Sequence, residues 1–129
     1  MISNTLRKDE RLRGERVISN LFDSGQSFFQ APYKVFWIKN SAKDLYPCRF
    51  AVSVPKKRFK RAVKRNLIKR RTREVFRTNK QILNAAVTDG QQVHLIVIYA
   101  FDNILPYIEL NEAMKKILKR IAGKYVESA

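Results

Sequence analysis

The chain has 129 residues, enough for one compact domain with its own core and too few for two of ordinary size. It carries 27 Lys and Arg against 11 Asp and Glu, a net charge of +16, an imbalance that self-repels until a polyanion neutralises it. One cysteine (Cys48) and one histidine (His94) exclude a disulfide framework, a multi-cysteine zinc site and any chemistry needing two imidazoles. No apolar run is long enough to span a bilayer, and the N-terminus lacks the apolar stretch of a signal peptide, so a cytoplasmic protein with no membrane partner is expected.

Residues 1–11 read as a flexible arm. From Glu15 to Phe22, Val17, Ile18, Leu21 and Phe22 recur at helical spacing, and Gly25 supplies a stop. Ser27 to Gln30 is a short strand, interrupted by Pro32 before the aromatic and β-branched run Tyr33 to Asn40. Ser41 to Pro47 is a polar turn. Arg49 to Val54 alternates Phe50, Val52 and Val54 with Ala51 and Ser53, a third strand ended by Pro55. No Pro or Gly falls between Pro55 and Gly90, so a helix is expected from about Arg61 into the mid-80s. Asp89-Gly90 marks a turn. The apolar run Val93 to Ala100 suits a strand buried on both faces, and Phe101 to Pro106 connects it to a helix from Ile108 to Tyr125 with one apolar stripe. The order α-β-β-β-α-β-α predicts a single α+β domain, a mixed sheet packed with helices.

One segment sets the electrostatics. Lys56 to Arg77 holds twelve basic residues and a single acid, Glu74. On a helical wheel Asn66, Lys69, Arg70, Arg73 and Arg77 share one stripe, while Ile68, Thr72, Val75, Phe76 and Asn79 share the opposite one. The apolar side can pack on the sheet while the other presents cations about 5–6 Å apart. Their mutual repulsion costs a few tenths of a kcal/mol per pair, which a phosphate backbone would offset, and the planar fork of Arg suits phosphate through two hydrogen bonds. A charge run of this kind is often only a solvated face, but here acids are almost absent. Charge by itself does not choose RNA over DNA.

Lys56-Lys57, Ala62-Val63, the run Arg65-Asn66-Leu67-Ile68-Lys69-Arg70, and Arg73-Glu74 resemble the signature of the bacterial ribonuclease P protein component. The likeness extends from about Leu12 to Ile121 and includes the helix ending in Phe22 with Gly25 and Ser27 after it. Two positions depart from the pattern: Leu67 stands where Arg is usual, and Ile18 where a first Phe often lies. The resemblance implies a four-stranded sheet with a left-handed β-α-β crossover, against the usual hand. It also implies a subunit of the ribonucleoprotein that removes the 5′ leader of precursor tRNA, whose RNA subunit holds Mg²⁺ and performs the hydrolysis. The expected RNA-binding set is Lys56, Lys57, Arg61, Lys64, Arg65, Asn66, Lys69, Arg70, Arg73 and Arg77. The partners are then the ribonuclease P RNA and precursor tRNA, with no obligate protein partner, no metal held by the protein and no catalytic residue in it.

The residues agree with a non-catalytic chain. The acids are scattered without metal-ligand spacing, and His94 and Cys48 read as packing residues on strands. A leader groove needs cations and flat side chains on which unpaired bases stack. Phe22, Tyr33, Phe36 and Trp37 are candidates, with Lys34 and Lys39 nearby. Alternation puts Tyr33, Val35 and Trp37 on one face and Lys34 with Phe36 on the other, so both sets cannot line one groove. Tyr33 with Phe22 is the favoured choice, Tyr33 by the position it shares with a family leader-cleft aromatic, and Lys34 and Ser53 complete the expected cleft. The competing readings are a basic ribosomal or RNA-chaperone protein, a helix-turn-helix DNA binder and a stand-alone nuclease. Pro55 and a strand before the basic helix disfavour the second, and the missing acid and imidazole clusters disfavour the third.

Overall fold

The elements follow the expected order. A computed structural model describes residues 10–42 and 44–127. It contains α1 (Glu15–Ser24), β1 (Gln26–Gln30), β2 (Tyr33–Ser41), β3 (Cys48–Ser53), α2 (Ala62–Asn79), the single turn α3 (Gln81–Asn84), β4 (Gln91–Tyr99) and α4 (Tyr107–Glu127). The four strands form one sheet in the order β1-β2-β4-β3. β2 pairs antiparallel with both β1 and β4, whereas β3 pairs parallel with β4. A parallel pair needs a crossover, and α2 with α3 supplies it. The apolar run of β4 thus occupies an interior position, with Val93, Leu95, Ile96, Val97 and Tyr99 all buried.

Side-chain alternation divides the sheet into two unequal faces. Tyr33, Val35 and Trp37 of β2 join Phe50 of β3 and Val93, Leu95, Val97 and Tyr99 of β4 in the main core. α2 contributes Ile68, Val75 and Phe76, and α4 contributes the stripe Leu110, Ala113, Met114, Ile117, Leu118, Ile121 and Tyr125. Each fully buried Leu, Ile or Met on that stripe stabilises the fold by about 1.5–3 kcal/mol relative to exposure. Phe50 and Phe76 stack with centroids 4.1 Å apart. The opposite face is covered by α1 and by Leu12 just before it, where Leu12, Leu21 and Ile96 form a small cluster with Val17, Ile18, Phe36, Ile38 and Ala51 against it.

Two glycines answer to geometry. A Cβ on Gly25 would lie 2.3 Å from the Leu21 carbonyl oxygen and 2.9 Å from that of Trp37, so only glycine lets α1 turn directly into β1. Gly90 adopts φ +81°, the left-handed conformation expected of the Asp89-Gly90 turn.

The basic helix is shorter than the sequence predicts. It ends at Asn79, and α3 follows after Lys80. The Asn79 amide donates to the Val75 carbonyl at 2.7 Å and to Asn111 Oδ1 of α4 at 2.7 Å, competing with the helical ladder. Lys80 then turns inward, where its ammonium donates to both carboxylate oxygens of Glu10 at 2.9 and 3.1 Å. Both side chains are almost fully buried. The expected flexible arm is therefore corrected at its C-terminal end: Glu10 and Arg11 dock on the domain. Leu12 N–H donates to the Phe50 carbonyl at 2.8 Å, and Arg11 bridges Phe50 in parallel, so this segment runs along the β3 edge. Residues 1–9 of the arm, with the cations Arg7 and Lys8, lie outside the described residues.

Candidate nucleic-acid interface

The cationic stripe sits on α2 as its wheel requires. Ile68, Thr72, Val75 and Phe76 are the buried residues of the helix. Lys64, Asn66 and Arg70 are exposed, Lys69, Arg73 and Arg77 are half-buried, and Lys56, Lys57 and Arg61 extend the surface before the helix. No side chain caps the α2 N-terminus and no acid lies in its first turn, so the positive end of the helix dipole adds to these cations. Two carboxylates engage cations of the segment among the described residues: Asp102 holds Arg58 at 2.9 Å, and Glu74 pairs with Arg77 on the helix surface. The Arg77 guanidinium holds the Glu74 carboxyl below its usual range. Arg65, outside that stripe, is held by the backbone before the helix. Its Nη1 donates to the Phe59 and Lys60 carbonyls, each at 2.8 Å, tying the preceding loop to the helix.

A groove opens beside this helix, on the α1 face of the sheet. It measures about 500 Å³ and runs between Arg11 and Arg13 of the docked segment, Ile18 and Phe22 of α1, Ala51 and Ser53 of β3, and Arg73 of α2. Register places Lys34 of β2 opposite Ile98 of β4, and Ser53 opposite the same Ile98, so the two expected cleft residues lie on one row across the sheet. Phe22 and Phe36 meet edge-to-face with centroids 4.8 Å apart. The Lys34 ammonium lies 5.5 Å from the Phe36 ring. Burial first, and then the neighbouring Arg11, lower the Arg73 pKa at the groove wall.

The structure corrects the choice of aromatic. Tyr33 is fully buried beneath α2, where its hydroxyl and that of Thr72 share a 2.8 Å hydrogen bond. Burial pushes its phenol far above the usual value, outweighing the Thr72 bond. It faces the main core, on the opposite side of the sheet from Phe22, and no ligand reaches it. Trp37 is buried on that same face. The ring that accompanies Phe22 is Phe36. Alternation groups Phe36 with Lys34, but Lys39 of the same strand falls with Tyr33 and Trp37, so charge did not mark which face stays open.

Cys48 and His94 lie on β3 and β4. Cys48 is buried, and its surroundings push the thiol well above its ordinary pKa. His94 Nδ1 accepts from the Asn40 amide at 3.0 Å, and its Nε2 donates to Gln92 Oε1 at 2.9 Å. Among the described residues no three His, Cys, Asp or Glu side chains converge as metal ligands, and no helix is long and apolar enough to cross a membrane.

A family model described as ribonuclease P matches residues 6–122, nearly the whole chain. The chain belongs to the ribonuclease P protein family. The ribonuclease P protein component of Porphyromonas gingivalis (strain ATCC BAA-308 / W83) is 38% identical over 125 residues, 96% of this chain and 91% of that protein. The RNase P protein from Thermotoga maritima has a TM-score of 0.69 at 26% identity, covering 85% of this chain and 96% of its own. The Staphylococcus aureus RNase P protein shares the fold, with a TM-score of 0.66 at 24% identity over 87% of this chain and 94% of its own. In this chain the Arg65–Glu74 motif and the groove beside it are neighbours in space, since Arg73 lines the groove.

Proposed function

We propose that this chain is the protein subunit of a cytoplasmic ribonuclease P holoenzyme that removes the 5′ leader from precursor tRNA. The cationic face of α2, with Lys56, Lys57 and Arg61 before it, grips the phosphate backbone of the RNA subunit. That RNA holds the Mg²⁺ ions and performs the hydrolysis. The groove takes the single-stranded leader: unpaired bases stack at Phe22 and Phe36, and Lys34, Arg73 and Ser53 meet its phosphates and hydroxyls. The observation that carries this reading is that Phe22 and Arg73 of the α2 motif line one groove, with the Phe36 ring edge-to-face against Phe22. Stacking rings with flanking cations suit unpaired nucleotides, whereas a cationic helix by itself suits any polyanion.

Reconstitution tests it. The purified chain mixed with a ribonuclease P RNA is expected to stimulate precursor-tRNA cleavage at low Mg²⁺ and to favour leader-bearing precursor over mature tRNA. Equal binding to any structured RNA, without stimulation, would instead indicate a ribosomal or chaperone role. Cleavage by the chain without added RNA would indicate a protein nuclease.

A further inference from the structure

The docked segment borders more than one hollow. Leu12 and Arg13 also line a second hollow of about 730 Å³ at the other end of the α1 face. Its walls are Arg16 and Asn20 of α1, Asn40 of β2, Arg49 of β3 and Gln92 and His94 of β4. Neither a carboxylate nor a Phe, Tyr or Trp ring is among the described residues that line it. Its polar floor is held in place by its own hydrogen bonds. Asn40 donates to His94 and His94 to Gln92, while Gln92 donates to Asp44 Oδ1 at 2.9 Å and to the Tyr46 carbonyl at 2.7 Å. Asp44 also pairs with Arg49, from behind the floor. These groups therefore need little ordering when a ligand arrives.

The two hollows differ in chemistry. The first combines cations with the exposed Phe22 ring, which Phe36 meets edge-on, and suits bases. The second combines arginines with amides and no flat apolar ring, which suits phosphates and ribose hydroxyls irrespective of base. Both are bordered by Leu12 and Arg13. Along β2, Lys34 and Asn40 lie six residues apart, about 20 Å at roughly 3.3 Å per residue.

We propose that the second hollow extends the leader track: nucleotides beyond those held at Phe22 and Phe36 pass over Arg13 and lay their ribose-phosphate backbone between α1 and the His94 end of the sheet. This rests on the leader reading above. It predicts that leader length, and not leader sequence, governs the added affinity.

The test uses the reconstituted holoenzyme and precursors whose leaders grow one nucleotide at a time. With the parent chain, affinity climbs as the first groove fills and climbs again as the second fills. The variant Arg16→Ala/Asn20→Ala changes two exposed residues one helical turn apart. It is expected to lose the second rise, about tenfold for the longest leaders, the scale of one charge-assisted contact. Its salt slope falls by about one for those leaders only. His94, the chain's single histidine, gives one unambiguous imidazole resonance. In the free chain that signal is expected to move when a long leader oligoribonucleotide is added and to stay with a short one.

A variant loss of equal size for the shortest leader, for mature tRNA or for the RNA subunit by itself overturns the proposal. So does no loss at any length, or a His94 signal blind to the long oligonucleotide. A parent chain indifferent to leader length overturns both this proposal and the leader reading. A length-dependent parent with a length-independent variant effect overturns this one alone.

Discussion

On one face of the sheet Tyr33, Val35 and Trp37 disappear beneath α2 and α4, while one residue along, Lys34 and Phe36 stay open beside α1. Both faces present aromatic rings. What separates them is the area of helix laid over each: two long helices seal the first, and a ten-residue helix crosses the second and leaves a hollow at either end. An aromatic on the sealed face stabilises the fold. An aromatic on the open face is within reach of a ligand.

The sharpest way to break this contrast is Tyr33→Ala. Removing a fully buried ring and orphaning the Thr72 hydroxyl is expected to cost about 3–5 kcal/mol in urea unfolding. A variant that keeps its stability but loses leader affinity would move Tyr33 to the open face. Lys80→Met is expected to cost about as much, 3–5 kcal/mol, because it removes the ammonium that donates to both oxygens of the buried Glu10 carboxylate. The double variant Glu10→Gln/Lys80→Met should recover part of that loss, since it leaves no lone buried charge. Its faster hydrogen exchange at Leu12 would show that the pair pins the segment that borders both hollows.

Phe36→Ala probes the open face directly. Affinity for leader-bearing precursor is expected to fall by about 1–3 kcal/mol, with mature tRNA unaffected. Equal losses on both ligands would remove Phe36 from the leader groove. Arg70→Ala is expected to weaken RNA-subunit binding and lower the salt slope by about one. Arg65→Ala should do more than lose a charge, because Arg65 also holds the loop carbonyls of Phe59 and Lys60. A slope unchanged in both would shift the RNA contact away from the stripe.

The smallest effect concerns pH. Burial, then the nearby Arg49, hold the His94 imidazole below its ordinary value. As pH falls below about 6.5 the unfolded chain takes up a proton that the folded chain resists. The stability is therefore present above that pH and lost as pH falls through the folded value. Melting temperatures followed from neutral to mildly acid pH should decline, and His94→Gln should flatten the decline.

Much of this was legible because it is local. The α2 stripe arises from 3.6-residue spacing within a single helix, so composition and periodicity placed Ile68, Thr72, Val75 and Phe76 inside and Asn66 and Arg70 outside. The alternation of β2 was equally plain, down to Lys34 and Phe36 sharing a face. Which face would be sealed was not. Parity within a strand says which residues go together, and only the partners packed on each side say where they go. The Tyr33 choice failed at that step. The helix break after Asn79 was hidden for a related reason, since Asn111 and Glu10 lie 32 and 70 residues from the groups they bind.

Charge density, element order and the basic motif were thus set by residues adjacent in the chain, where spacing alone dictates which side chains share a surface. The two hollows, the docking of Glu10 and Arg11, and the pairing of Phe22 with Phe36 were decided by packing between distant segments. Hydrophobic burial is blind to sequence separation, so their positions follow from how α1, α2 and α4 divide the sheet between them.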